Sequence, residues 1–178
     1  MRSKWVPAPP PTQKTEATLT AVRAAQRAIP LIPKREAVCL QRLQSRAREA
    51  GIENEDDARQ WLLFLRSVGL ISKTPSGYRR TRSEPDATQL FENLCEQIYG
   101  ARELQDALQA TDKPLASSAA WNRAAVTMPT WERHHHGSRW EEIHQQRGHR
   151  LCEWFVLLGG ATQCTADNGE VRYRSATS

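Results

Sequence analysis

Residues 57–80 and 150–174 carry the same arrangement, and this duplication constrains the fold more than any other feature of the chain. In the first copy, Asp57 to Ile71 reads as an amphipathic helix centred on Trp61, and Ser72-Lys73-Thr74-Pro75-Ser76-Gly77-Tyr78-Arg79-Arg80 reads as a short polar hairpin. In the second, a helix around Trp154 is followed by a hairpin that turns at Asp167-Asn168-Gly169 and closes on Arg172-Tyr173-Arg174. Trp61 and Trp154 stand 93 positions apart, as do Leu65 and Leu158, whereas Tyr78 and Tyr173 stand 95 apart. That difference places a small insertion near the second hairpin. A repeat of this period in 178 residues favours two small units, each with its own modest core. Duplicated helix-plus-hairpin units point to binding and not to catalysis.

The net charge of +5 conceals an asymmetry. Residues 1–83 hold 16 Lys and Arg against 7 Asp and Glu, while residues 84–178 hold 9 against 13. The halves are therefore about +9 and −4, and only the first attracts phosphates. Lys113 is the one lysine after residue 83. Hydrophobic residues make up 39% of the chain and mean hydropathy is −0.67, which suits a large polar surface. No apolar run approaches the roughly 18 residues of a membrane span, and the N-terminus lacks a signal-peptide core. No membrane partner is expected, and the expected location is the cytoplasm, or the nucleoid in a prokaryote. Cys39, Cys95, Cys152 and Cys164 show no paired spacing and are expected to be free thiols, the first three of them small apolar positions in helices.

Organisation follows from the breakers. Residues 1–15, with Pro7-Ala8-Pro9-Pro10-Pro11, read as a disordered tail whose Trp5 is a potential partner anchor. Residues 16–83 form a basic unit. Its first helix, from Glu16 to Ile29, ends at Pro30 and Pro33; its second begins near Lys34 and is capped by Gly51. Asn54 caps a third, in which Ala58, Trp61, Leu62, Leu65 and Val68 face the core. Residues 84–178 form an acidic unit that opens with a helix bearing Leu90, Leu94 and Ile98, followed by Leu104 and Leu108. An irregular insertion is expected over 111–137, and Gly148 is expected to kink or divide the following helix.

Three helices and then a hairpin, with Trp-Leu-x-x-Leu-x-x-x-Gly-Leu-Ile and Gly-Tyr-Arg-Arg as the carrying residues, resemble the winged helix-turn-helix superfamily. The resemblance covers roughly residues 16–82 and names no particular family. The expected fold class is mainly α with short β-hairpin wings, an α+β chain of two tandem winged-helix-like units. What the resemblance implies is duplex DNA binding, with the helix before the wing in the major groove and basic wing residues on phosphates. It nominates Arg59, Gln60, Leu63 and Arg66 on the third helix, and Lys73, Tyr78, Arg79, Arg80 and Arg82 in the wing. Arg35, Arg42 and Arg46 on the second helix, spaced 7 and 4, add a basic stripe. The acidic helix start, Glu53, Glu55, Asp56 and Asp57, opposes phosphate binding.

The expected function is thus a DNA-binding protein, a transcriptional regulator, with the acidic unit used for a homodimer or a protein partner. The alternative is a scaffold module that uses winged helices without DNA readout. Trp131, Trp140 and Trp154 are expected mainly in the core, with an exposed one as an interface anchor. No phosphate loop, nucleophile elbow or HExxH is present, so neither an enzyme nor a cofactor is expected. His134-His135-His136, with His144, His149 and Cys152 nearby, lacks the spacing of a tetrahedral zinc set.

Overall fold

The computed structural model describes residues 2, 3 and 6–176, which divide into two compact units, 1–99 and 100–178. Trp5 lies outside the described residues. The boundary falls later than the expected break after residue 83, because one more helix belongs to the first unit.

In the first unit α1 (Thr15–Ala28) buries Val22, Ala25 and, just past its end, Ile29. Pro30 stops it, since proline cannot donate the next helical hydrogen bond. The chain then runs along the coming hairpin, where Lys34 and Tyr78 exchange both backbone hydrogen bonds at 2.9 and 2.8 Å. Helix α2 (Glu36–Arg46) follows, with a 3-10 turn at Arg48–Ala50 and then Gly51 at φ 77°, the left-handed position that glycine tolerates best. Asn54 caps α3 (Glu55–Ser67), its side chain accepting from the Asp57 amide at 2.9 Å. The wing is β1 (Ile71–Thr74) paired antiparallel with β2 (Gly77–Arg80).

Helix α4 (Ala87–Gln97) completes this unit, and was expected to open the next one. Asn93 donates to the Val68 carbonyl at the end of α3 at 2.9 Å. The flank of α3 is therefore covered as well as its core face, and Phe64 is buried beyond the expected stripe. The N-terminal segment, expected to be a disordered tail, packs here too. The Ser3 amide donates to Gln97, the Tyr99 amide donates to Ser3, and Val6 and Pro10 are buried. Prolines without donors still bury apolar surface, so their polyproline geometry did not imply disorder.

In the second unit α5 (Ala101–Gln109) leads to β3 (Leu115–Ala116), α6 (Ser117–Arg123), α7 (Thr130–His136), a 3-10 turn and α8 (Trp140–Leu157). Strands β4 (Ala161–Thr165) and β5 (Val171–Ser175) form its wing, in a sheet ordered β3-β5-β4. The expected irregular insertion over 111–137 is corrected: it holds a strand and two helices of 7 residues each. Helices so short show barely two turns of periodicity, which hid them. Helix α8 also runs unbroken for 18 residues through Gly148. That glycine serves packing instead of a kink: a Cβ there would meet Trp121 Cδ2 at 2.6 Å.

The repeat is real, but its helical register is not the one the tryptophans suggest. The amides of Val68 and Leu158 donate to Phe64 and Trp154, and those of Leu70 and Gly160 donate to Leu65 and Phe155. The offset is therefore 90 positions, so Trp154 occupies the place of Phe64 and Gly148 that of Ala58. Wing strands keep this offset through Lys73 and Gln163, and Tyr78 and Tyr173 then pair with them across a turn five residues longer. Both tyrosines are buried and pair with the segment that precedes the second helix of their unit, through an isolated bridge to Lys34 and through Leu115 of β3.

Candidate nucleic-acid interface

The nominated arginines of α3 are not equivalent. Arg59 lies 3.1 Å from Glu55, 3.5 Å from Asp56 and 3.7 Å from Glu36, so its charge is matched within the protein. Its stem is held across the α2–α3 surface, where a phosphate would meet three carboxylates. Arg66 is exposed and its positive charge lies near the phenol of Tyr78, with Lys73 set 5.7 Å from the centre of that ring. Burial, reinforced by Glu36, raises the Tyr78 pKa above its ordinary value of 10.0 against the opposing pull of Arg66. Tyr78 itself is buried in the core.

The stripe on α2 also separates. Arg42 turns inward and its Nε donates to the Ala28 carbonyl at 2.7 Å, satisfying one of the orphan acceptors at the end of α1. Its role is structural. Arg35 is the exposed N-cap of α2, and Arg46 lies at a cleft of about 420 Å³ with Arg23, Arg27 and Glu49.

The wing arginines converge. Arg79, Arg80 and Arg82 surround a groove of about 310 Å³ whose apolar wall is Leu31. An adjoining cleft of about 440 Å³ adds Arg27 to Arg80 and Arg82, with Glu84 on its rim. Glu84 is paired with Arg23 at 3.3 Å. Gln26 fixes the framework from below, its side-chain amide donating to the carbonyls of Leu70 at 3.2 Å and Ser83 at 2.7 Å. Arg79 is steadied by Ser72 Oγ at 3.3 Å. The basic face therefore runs from the wing base onto α1 and includes Arg23 and Arg27, which sequence reading did not nominate. Their spacing of four, on the side of α1 away from Val22 and Ala25, was the available signal.

The second wing is different. Arg172 pairs with Glu170 at 3.0 Å, and Arg174 donates to the Asp112 carbonyl at 2.8 Å. Elsewhere in this unit Arg147 and His136 meet the buried Glu132 at 2.7 and 3.5 Å, and Arg133 lies 4.4 Å over the Trp140 ring. Trp154 is in the core, Trp140 is half-buried and Trp131 is 65% exposed. The histidine run forms the last turns of α7 and not a loop. Among the described residues no three His, Cys, Asp or Glu side chains are grouped so as to hold a metal ion, and no helix is long and apolar enough to cross a membrane.

Each unit thus has a helix, an edge pairing and further helices that lead into a hairpin, with α7 added before the last helix of the second unit and α4 after the hairpin of the first, which defines a protein of two winged-helix domains. A family model described as the halobacterial double winged helix domain matches residues 1–175, and the chain belongs to that family. No curated protein and no solved structure matches it.

Proposed function

We propose that the first unit binds duplex DNA through the wing base and the adjoining surface of α1, and that the protein is a transcriptional regulator without enzymatic activity. The carrying observation is the convergence of Arg79, Arg80 and Arg82 on one groove, with Arg27 beside it. Guanidinium groups neutralise phosphates and release their counterions, and each phosphate so neutralised adds about 0.9 to the log–log salt slope. The second unit, in which nine Asp and Glu balance nine Lys and Arg over residues 100–178 and the wing arginines are engaged internally, serves a homodimer or a protein partner. Its exposed Trp131 suits the anchor of such an interface.

A scaffold role is the second reading, favoured by the acid cluster around Arg59 on the face where major-groove readout would occur. Titration of a labelled duplex with the full chain at two salt concentrations separates the two. Binding that weakens steeply with salt supports DNA recognition, while no binding at low salt leaves the scaffold.

A further inference from the structure

The loop that joins α1 to the Lys34 bridge reads Ile29-Pro30-Leu31-Ile32-Pro33. Its apex exposes two adjacent aliphatic side chains, Leu31 at 51% and Ile32 at 71%. Exposed aliphatics on a slack loop would fold back, but this loop is held. Prolines fix the backbone φ on either side of the apex. The Arg80 amide donates to the Pro30 carbonyl at 2.8 Å, and Lys34 exchanges two hydrogen bonds with Tyr78. Both ends are thus pinned to β2, and presenting the apex costs little ordering entropy.

What lies beside the apex defines the partner. Leu31 forms the wall of the groove lined by Arg79, Arg80 and Arg82, and it also borders the cleft that holds Arg27. A ligand that fits must offer an apolar surface between closely spaced anions. Duplex DNA does so wherever two base pairs separate between flanking phosphates, and one or two aliphatic side chains suffice to wedge such a step. A stable protein interface needs roughly 800 Å² from each partner, more than two side chains supply.

We propose that Leu31 and Ile32 form a wedge that enters the minor groove, partly unstacks a base step and bends the duplex, while Arg27, Arg79, Arg80 and Arg82 hold the phosphates on either side. This rests on the duplex-binding reading above and adds a deformation to it. Flexible pyrimidine–purine steps would then be preferred without base-edge contacts, because they unstack most readily.

The test uses the full chain and a 30-base-pair duplex with a central TA step, carrying a donor and an acceptor fluorophore at its ends. Wild type should raise energy transfer on binding, corresponding to a bend of roughly 20–90°. The L31S/I32S variant, whose changed side chains are already exposed, should keep the wild-type circular dichroism and bind within about fivefold, with energy transfer unchanged from free duplex. The milder L31A/I32A should reduce the bend in the same direction. Equal bending by wild type and L31S/I32S, or binding by wild type to a straight duplex, overturns the wedge and leaves DNA binding standing. No duplex binding by wild type removes both. Loss of poly-L-glutamate binding in L31S/I32S, with bending retained, assigns the surface to an acidic polypeptide and overturns the proposal.

Discussion

The Trp121 side chain lies directly against Gly148, so that a methyl group at residue 148 would come within 2.7 Å of Trp121 Cβ. On its far side the same ring meets Gly100, where an added Cβ would stand 2.5 Å from Cη2. The edge-strand pairing and the helical offset make Leu40 the counterpart of Trp121 and Ala58 the counterpart of Gly148. The second unit has exchanged a medium and a small residue for a large one and none at all. Gly148→Ala should therefore destabilise the second unit by about 1–3 kcal/mol, although alanine is the better helix former. Thermal unfolding of the single variant measures this, and a gain in stability would refute the packing role.

Arg59 should be dispensable for DNA. Its three carboxylate neighbours already match its charge, so Arg59→Ala should change duplex affinity less than twofold. Replacing Arg79, Arg80 and Arg82 together with alanine should instead flatten the salt dependence by about two to three log–log units. Titrations at several salt concentrations give both numbers. An unchanged slope in the triple variant would sink the wing assignment.

Glu132 is buried between Arg147 and His136. Removing it takes a buried carboxylate from a largely enclosed guanidinium, so Glu132→Ala should cost about 2–4 kcal/mol. Glu132→Gln keeps a hydrogen-bond acceptor and should cost less. Chemical denaturation of the pair tests the order, and equal losses would mean that the hydrogen bond alone contributes nothing beyond the charge, contradicting the expected order.

Alkaline pH should weaken the second unit. Burial pushes both the Tyr173 phenol and the Cys152 thiol up to about 12, from ordinary values of 10.0 and 9.0. Below pH 9 both states keep these protons, whereas between pH 9 and 12 the unfolded chain loses them first, so unfolding releases protons and stability falls as pH rises. Melting temperatures at pH 8, 10 and 11 should decline, and Cys152→Ala with Tyr173→Phe should flatten the decline. A double variant with the wild-type profile would exclude this source.

Thiol labelling should discriminate among the cysteines. Cys164 is exposed on β4, while Cys39, Cys95 and Cys152 are buried. Mass spectrometry of native protein treated with a thiol reagent should show Cys164 modified first, and the others only in denaturant. Rapid native labelling of Cys152 would contradict its burial.

Much of this architecture was legible in one dimension. Asn54 as a cap, Gly51 in the left-handed region, the Ala58-to-Val68 stripe and the two tyrosine-ended hairpins are local devices, governed by neighbours within a few residues. Local rules likewise exposed the charge asymmetry and the candidate arginines. The same rules misread the 111–137 segment, whose helices are too short to display a period, and aligned Trp61 with Trp154 because aromatic identity outweighed hydrogen-bond register. They also placed α4 in the wrong unit, since a stripe of Leu90 and Leu94 says that a helix has a buried face but not which neighbour buries it.

The winged-helix order and the basic character of the first half were thus settled by the sequence itself, through periodicity, caps and charge, which depend on covalent neighbours. Which arginines are available was decided only by the tertiary structure. Arg42 is spent on the end of α1 and Arg59 on three acids, while Arg27 and Leu31 join the wing from another helix and loop. Electrostatic partnership and shared grooves depend on distances across the fold, and residues tens of positions apart acquire those distances only when the core closes.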